Sequence, residues 1–209
     1  MGTQERRERE RLARREQILE AAKEVFEEKG FLNATTEEIA QRAELAVGTL
    51  YRYFQSKEEM YISLLFESIE IFRNELERIQ GLPGSPDEKL RAFWDFLYTY
   101  YQEYPAYYRT LTFLHNEGLR EAVSPEVIEE INRRTGRNFS LAAQIVQEGM
   151  EAGIYRAGDP REVVDVLWSL LTGLVQLMEI RRNLGLEVGA LADLHRKAFQ
   201  WIEDGLRQR

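Results

Sequence analysis

The chain has 209 residues, a formal net charge of −8 and no cysteine. Its length allows one large domain, or a small domain beside a larger one. The lack of cysteine excludes disulfides, thiolate metal sites and cysteine nucleophiles. The opening residues MGTQERRERERLARRE contain no apolar core of the kind a secretory signal needs. The longest apolar run, 163–178, is interrupted by Asp165 and is shorter than the roughly 20 residues of a membrane span. A cytoplasmic protein without membrane contact is therefore expected.

Residues 5–16 interleave Arg6, Arg7, Arg9, Arg11, Arg14 and Arg15 with Glu5, Glu8, Glu10 and Glu16. Two readings stay open: a basic arm that reaches a DNA minor groove, or a helical extension laced by Glu/Arg pairs. From Arg15 the spacing of Ile18, Leu19, Ala22 and Phe26 predicts a helix ending at Gly30, a suitable left-handed cap. Next, Thr35 with Glu38 forms the S/T-x-x-E pattern of a capping box, and Ile39, Ala40 and Ala43 give the helix behind it one apolar face. Only Glu44, Leu45 and Ala46 separate that helix from VGTLYRYF, in which Leu50 and Phe54 fall four apart on the core side. Two helices this short and this close make a helix-turn-helix. The outward residues Val47, Gly48, Thr49, Tyr51 and Tyr53 are left free to meet another molecule.

The residues Ile18, Ala21, Ala22, Phe26, Gly30, Thr35, Thr36, Ile39, Ala40, Gly48, Thr49, Leu50, Tyr51, Tyr53, Phe54 and Lys57, in that order, resemble the tetracycline-repressor-like (TetR) family of transcriptional regulators. The resemblance covers residues 14–60. It implies an all-α protein with a three-helix DNA-binding domain over 1–57 and a helical effector-binding and dimerisation domain over 58–209. It also implies contacts from Thr36, Thr49, Tyr51, Tyr53 and Lys57 to phosphates or sugars of double-stranded operator DNA, with Val47, Gly48 and Thr49 nearest the base edges. Two positions depart from the family pattern: Glu44 stands where a turn glycine is usual, and Ala46 where a capping serine is common. Residues 1–57 carry equal numbers of basic and acidic side chains, so the whole formal charge of −8 lies in the remainder. A neutral DNA-binding unit must rely on placed contacts rather than on a broad positive field.

Ser56 and Glu59 form a second capping pattern that opens a helix with Met60, Leu64, Leu65, Ile69, Phe72, Leu76 and Ile79 on its apolar side. Gly81-Leu82-Pro83-Gly84 stops it. A lever of this kind joining two units is a route for repositioning one by the other. Ser85-Pro86, Ser124-Pro125 and Asp159-Pro160 each announce a further helix, a cap followed by proline at the first helical position. Another helix is expected near Pro105 and a last one over about 188–206. About nine helices and no strands are expected.

Residues 93–108 hold a dense group of aromatics, wider than an amphipathic stripe needs. They fit either a bulky core or a mostly apolar ligand site with tyrosine hydroxyls as polar handles. The family resemblance implies the second, with a small apolar or aromatic effector among Trp94, Tyr98, Tyr101, Tyr108 and Trp168. Leu167, Leu170, Leu174 and Met178 form one apolar face, and Leu194 and Ile202 lie on another in the final helix. These faces pack within one chain or pair with a second copy, and the resemblance implies a homodimer. Neither histidine, His115 nor His195, sits in a metal-ligand spacing, and no nucleophile or phosphate-loop motif occurs. No catalytic residue, cofactor or metal is expected. The implied function is that of a ligand-responsive repressor. Two other classes remain as alternatives: an α-helical protein-interaction adaptor without DNA binding, which leaves the pattern over 35–57 unexplained, and an enzyme using the aromatic pocket, for which no catalytic motif occurs.

Overall fold

The computed structural model describes residues 3–105, 108, 124–186 and 189–207. Among them are eight α-helices and no strand, with one isolated bridge between Tyr155 and Arg207. The all-α expectation holds. In chain order the helices are α1 (Thr3–Asn33), α2 (Thr36–Arg42), α3 (Val47–Leu50), α4 (Lys57–Gln80), α5 (Pro86–Glu103), α6 (Pro125–Glu151), α7 (Pro160–Asn183) and α8 (Leu191–Leu206). Of the helix expected near Pro105, Pro105 and Tyr108 are helical and the Tyr108 N–H donates to the Tyr104 carbonyl, while its further course and the residue His115 lie outside the described residues.

Two compact units form, one from 1–70 with 104–131 and one from 71–103 with 132–209. The division falls inside α4, later than the sequence boundary at 57/58. The reason is packing: in the first unit Tyr61 meets Phe26 edge-on at 5.2 Å and lies 4.8 Å from Phe31, and Met60, Leu64 and Leu65 are buried with it. The opening turns of α4 are thus core of the helix-turn-helix unit. Gly30 takes φ 72°, a left-handed conformation that L-residues with a Cβ rarely hold, and breaks α1 just before its last residues.

Helix starts follow their sequence signals. Thr35 accepts from the Glu38 N–H while Glu38 accepts from the Thr35 N–H, a complete capping box. Ser85 and Glu88 form another at α5. Asp159 accepts from the Arg161 N–H at 2.8 Å to open α7. Ala46, with no side-chain acceptor, leaves α3 uncapped.

In the second unit α7 buries Val164, Leu167, Leu171, Val175 and Met178, a stripe at helical spacing, and packs against α5 and α8. By length and composition α7 is apolar enough to cross a bilayer. That character comes from having two apolar faces, one buried and one exposed. At the end of α6, Gly149 lies against the ring of Tyr155. A Cβ at Gly149 would overlap the ring carbons, so only glycine fits. Tyr155 is almost fully buried and the next residue, Arg156, donates its N–H to the Leu206 carbonyl, which ties the end of α6 to the end of α8.

Two substitutions test these backbone arguments in opposite directions. Glu44 is the only non-glycine residue at positive φ among those described, at 55°, and it is exposed. Left-handed backbone costs about 1–2 kcal/mol for a residue with a Cβ, offset partly by the greater freedom of unfolded glycine. Glu44→Gly should therefore raise the stability of the protein by about 0.5–1 kcal/mol in chemical denaturation. Gly149→Ala should lower it by more than about 2 kcal/mol, because Tyr155 must leave its site.

Candidate DNA-binding and effector sites

The helix-turn-helix is braced from behind by charged side chains of α1. Arg42 of α2 donates to Glu24 at 2.7 Å and to Glu28 at 2.8 Å, and Lys29 pairs with Glu38. Lys29 first, and the Thr35 N–H second, hold the Glu38 carboxyl below its ordinary range. Gln17 donates to the Ala43 carbonyl at the end of α2, satisfying a group the short helix leaves open. Ile39, Ala40, Ala43, Leu50 and Phe54 are buried, as are Ile18 and Ala22 of α1 in the same unit.

The opposite face is open. Tyr51 is 49% exposed and Gly48 is exposed, while Thr36, Val47, Thr49 and Tyr53 are exposed or partly exposed. Thr36 and Tyr51 face each other across the two helices, hydroxyl to hydroxyl at 3.3 Å, so these expected phosphate contacts form one surface. A Cβ built at Gly48 meets nothing within 4 Å. Its φ is not in the left-handed region, so neither backbone nor packing within the chain asks for glycine there.

Lys57 has a second occupation. Its ammonium donates to the Phe31 carbonyl at 2.7 Å and the Ala34 carbonyl at 2.8 Å and lies 4.5 Å from the Phe31 ring centroid. Two of its three donors are taken, leaving one for a phosphate. The segment before Arg15 is helix rather than an extended arm, with exposed pairs Arg6–Glu10 and Arg11–Glu8 along it.

Of the expected effector residues in one compact unit, Trp94 and Tyr98 share His195 as a neighbour, whereas Trp168 has other aromatic neighbours. Trp94 and His195 are stacked at 4.5 Å with 9° between their planes and exchange hydrogen bonds with each other's carbonyls, both at 3.0 Å. A carbonyl can only accept, so Nε2 of His195 carries the proton. Burial is the main influence on the imidazole and holds its pKa below the ordinary value. Tyr98 lies 4.8 Å from the same imidazole. These contacts join α5 to α8. Tyr101 is partly exposed on α5, and Tyr108 is buried in the other compact unit. Trp168 sits on the far side of α5, with Phe72 at 5.9 Å and Phe139 at 6.4 Å. Phe72 in turn meets Phe96 at 4.8 Å and Tyr100 at 5.3 Å. Near Phe139 on α6, the Thr135 hydroxyl is buried without a hydrogen-bond partner among the described residues. Phe72 and Phe139 were not expected at this site. Each reads in the sequence as an ordinary apolar position, and only the tertiary contact sets it beside Trp168.

The interface residues also divide. Leu167 and Met178 belong to the protomer's own core, whereas Leu170, Leu174, Leu194 and Ile202 are partly exposed. With Leu170 and Leu174 on α7 lie Val166 at 56%, Leu177 at 41% and Ile180 at 47% exposure, at spacings of three and four, and on α8 Trp201 is 73% exposed. Val166, Leu177, Ile180 and Trp201 were absent from the expected interface, although Val166, Leu170, Leu174, Leu177 and Ile180 follow one another at steps of three and four.

Residues 18–64 match the family described as bacterial regulatory proteins, tetR family. The chain is 27% identical over 142 residues to the HTH-type transcriptional repressor NicS of Pseudomonas putida, an alignment covering 68% of this chain and 66%, just under two thirds, of that protein. Its fold is similar to that of the TetR family regulator PfmR from Thermus thermophilus, with a TM-score of 0.73 at 23% identity over 91% of this chain and 99% of that one. It is also similar to the fatty acid degradation regulator FadR from Bacillus halodurans, with a TM-score of 0.72 at 24% identity over 93% and 97%. With the helix-turn-helix geometry and the family match in agreement, residues 18–64 are a helix-turn-helix of the tetR type, and the whole-length likeness shows that the chain shares the fold of these regulators.

Proposed function

We propose that the protein is a homodimeric, operator-binding repressor released from double-stranded DNA by a small, largely apolar effector. The observation that carries the DNA reading is Gly48, a glycine in the recognition helix with open space where a Cβ would stand. Glycine in a helix is about 0.5–1 kcal/mol less stable than alanine. A residue that weakens its own helix and fills no need inside the chain fits a surface against which another backbone closes, here the major groove. Around it Thr36, Val47, Thr49, Tyr51 and Tyr53, with the remaining donor of Lys57, are assigned to DNA contact.

Dimerisation is assigned to the exposed stripe of α7, Val166, Leu170, Leu174, Leu177 and Ile180, with Leu194, Trp201 and Ile202 of α8. Paired helices of this kind form a four-helix interface. Only a pair can place two recognition helices in successive major grooves about 34 Å apart.

The effector is assigned to the side of α5 that carries Phe96 and Tyr100, against Phe72, Phe139 and Trp168, with the Thr135 hydroxyl as the polar handle. An extended acyl or ring body fits such a lining. Two structural neighbours support the class: FadR is a fatty acid degradation regulator, and AibR forms a complex with isovaleryl coenzyme A and operator DNA.

Gly48→Ala is expected to raise thermal stability, by about 0.5–1 kcal/mol in ΔG, while weakening binding to a selected operator duplex at least about tenfold. Denaturation and titration on the same preparation measure both, and unchanged DNA affinity would remove the close-approach reading. Leu177→Glu changes an exposed residue, so the protomer should stay folded while the dimer dissociation constant rises about a hundredfold, roughly 2.7 kcal/mol. Sedimentation against concentration reads it, and a wild type that is monomeric at micromolar concentration with full DNA affinity would end the dimer assignment.

A further inference from the structure

The first turns of α1 extend beyond the core: residues 4–14 are exposed, and Arg15 is the first to be partly covered. An exposed helix needs only Glu/Arg pairs three or four apart, each worth about 0.2–0.5 kcal/mol, and such pairs do not require the two signs to be sorted by face. Here they are sorted. At about 100° per residue, Arg7, Arg11, Arg14 and Arg15 lie within about 60° of the direction of Ile18, the side that faces the core one turn later. Glu5, Glu8, Glu10 and Glu16 all lie at about 80° or more from it, and Arg6 and Arg9 point to the back.

This basic side runs toward the end of the recognition segment. Arg15 donates to Ser63 at 2.9 Å and its guanidinium sits 4.7 Å from the ring centroid of Phe54. Arg11 stands one turn earlier on the same side of α1. The partners that hold Arg11 and Arg14 are surface groups, Glu8 and Gln17. Exposed pairs of this kind are worth roughly 0–1 kcal/mol, so a phosphate can replace them at little cost.

We infer that the basic side of the α1 extension, Arg7, Arg11 and Arg14, is a second DNA-contacting surface, seated on backbone phosphates flanking the segment read by α3. The inference rests on the operator-binding reading. It locates the positive field that the neutral charge of residues 1–57 conceals, by turning arginines to one side and glutamates to the other. Residues 3–14 span about 18 Å at 1.5 Å per residue, the length of about five base-pair steps at 3.4 Å. A helix lying on the backbone adds affinity without base preference.

The test uses the full-length protein and a duplex selected by it from a random-sequence pool, in two lengths that differ by about five base pairs at each end. Arg7→Gln/Arg11→Gln is compared with Arg6→Gln/Arg9→Gln, which removes the same charge from the back of the same helix. All four residues are exposed, and circular dichroism checks that helix content is kept. The front pair is expected to weaken binding to the long duplex at least about tenfold. It should also make the slope of log K against log salt shallower by about 0.9 for each phosphate no longer neutralised. The back pair should change affinity less than about twofold. Trimming the flanks should weaken the wild type and leave the front pair unaffected. Equal effects from the two pairs, no effect from either, or indifference of the wild type to flank length would each overturn the inference. Failure of the pool to yield any enriched duplex would instead overturn the operator-binding reading.

Discussion

The helix-turn-helix unit depends on one charged group placed where three helices would otherwise part. At Gly30 the chain leaves α1 and exposes the carbonyls of Phe31 and Ala34, and both are taken by the ammonium of Lys57 at the start of α4. The same ammonium sits over the Phe31 ring, whose neighbours Phe26 and Tyr61 join α1 to α4. A carbonyl left unpaired in such a place costs about 1–3 kcal/mol. The four-residue helix α3 is too short to hold itself. It keeps its place because its two ends are anchored, α2 by the Arg42 and Gln17 contacts and α4 by Lys57. The recognition surface is rigid through its neighbours rather than through its own hydrogen bonds.

Second in importance is the seal between α5 and α8. The two hydrogen bonds between Trp94 and His195 run in opposite directions between the same two residues, and the stacked rings exclude water from both. Arg91 adds its guanidinium over Phe199 and an ion pair to Glu203. At the far end Tyr155 lies beside Asp87, and burial first, then that carboxylate, pushes its phenol pKa up. The consequence is division of labour on one helix: α5 is fixed along one side, and its other side carries Phe96 and Tyr100.

What the sequence disclosed and what it hid follow from the range of the forces involved. Capping boxes at Thr35 and Ser85, proline at the first position of α5, α6 and α7, and the left-handed Gly30 are set by neighbours within four residues, and each was legible. The departure at Glu44 was legible too, since its φ of 55° is where a glycine would be relaxed. The sorting of the aromatics was not. Trp94 and Phe96 are two residues apart and so on opposite sides of α5, but which side meets His195 and which meets Phe72 is set by distant parts of the chain. The two apolar sides of α7 posed the same difficulty. Leu167 and Leu170 both read as parts of one apolar face assigned to an interface, and only packing against α5 and α8 shows that the first is buried and the second partly exposed.

The three tryptophans of the chain stand on three different surfaces of one compact unit. Trp94 is almost completely shielded, Trp168 is partly covered among other aromatics, and Trp201 is 73% exposed beside an apolar stripe. Indole emission follows the polarity of its surroundings, so under the proposed function each would report a separate event: Trp94 the integrity of the core, Trp168 the occupancy of the aromatic cluster, Trp201 the covering of α8. The molecule thus carries three built-in optical labels, and removing two at a time isolates folding, ligand binding and assembly without any added dye.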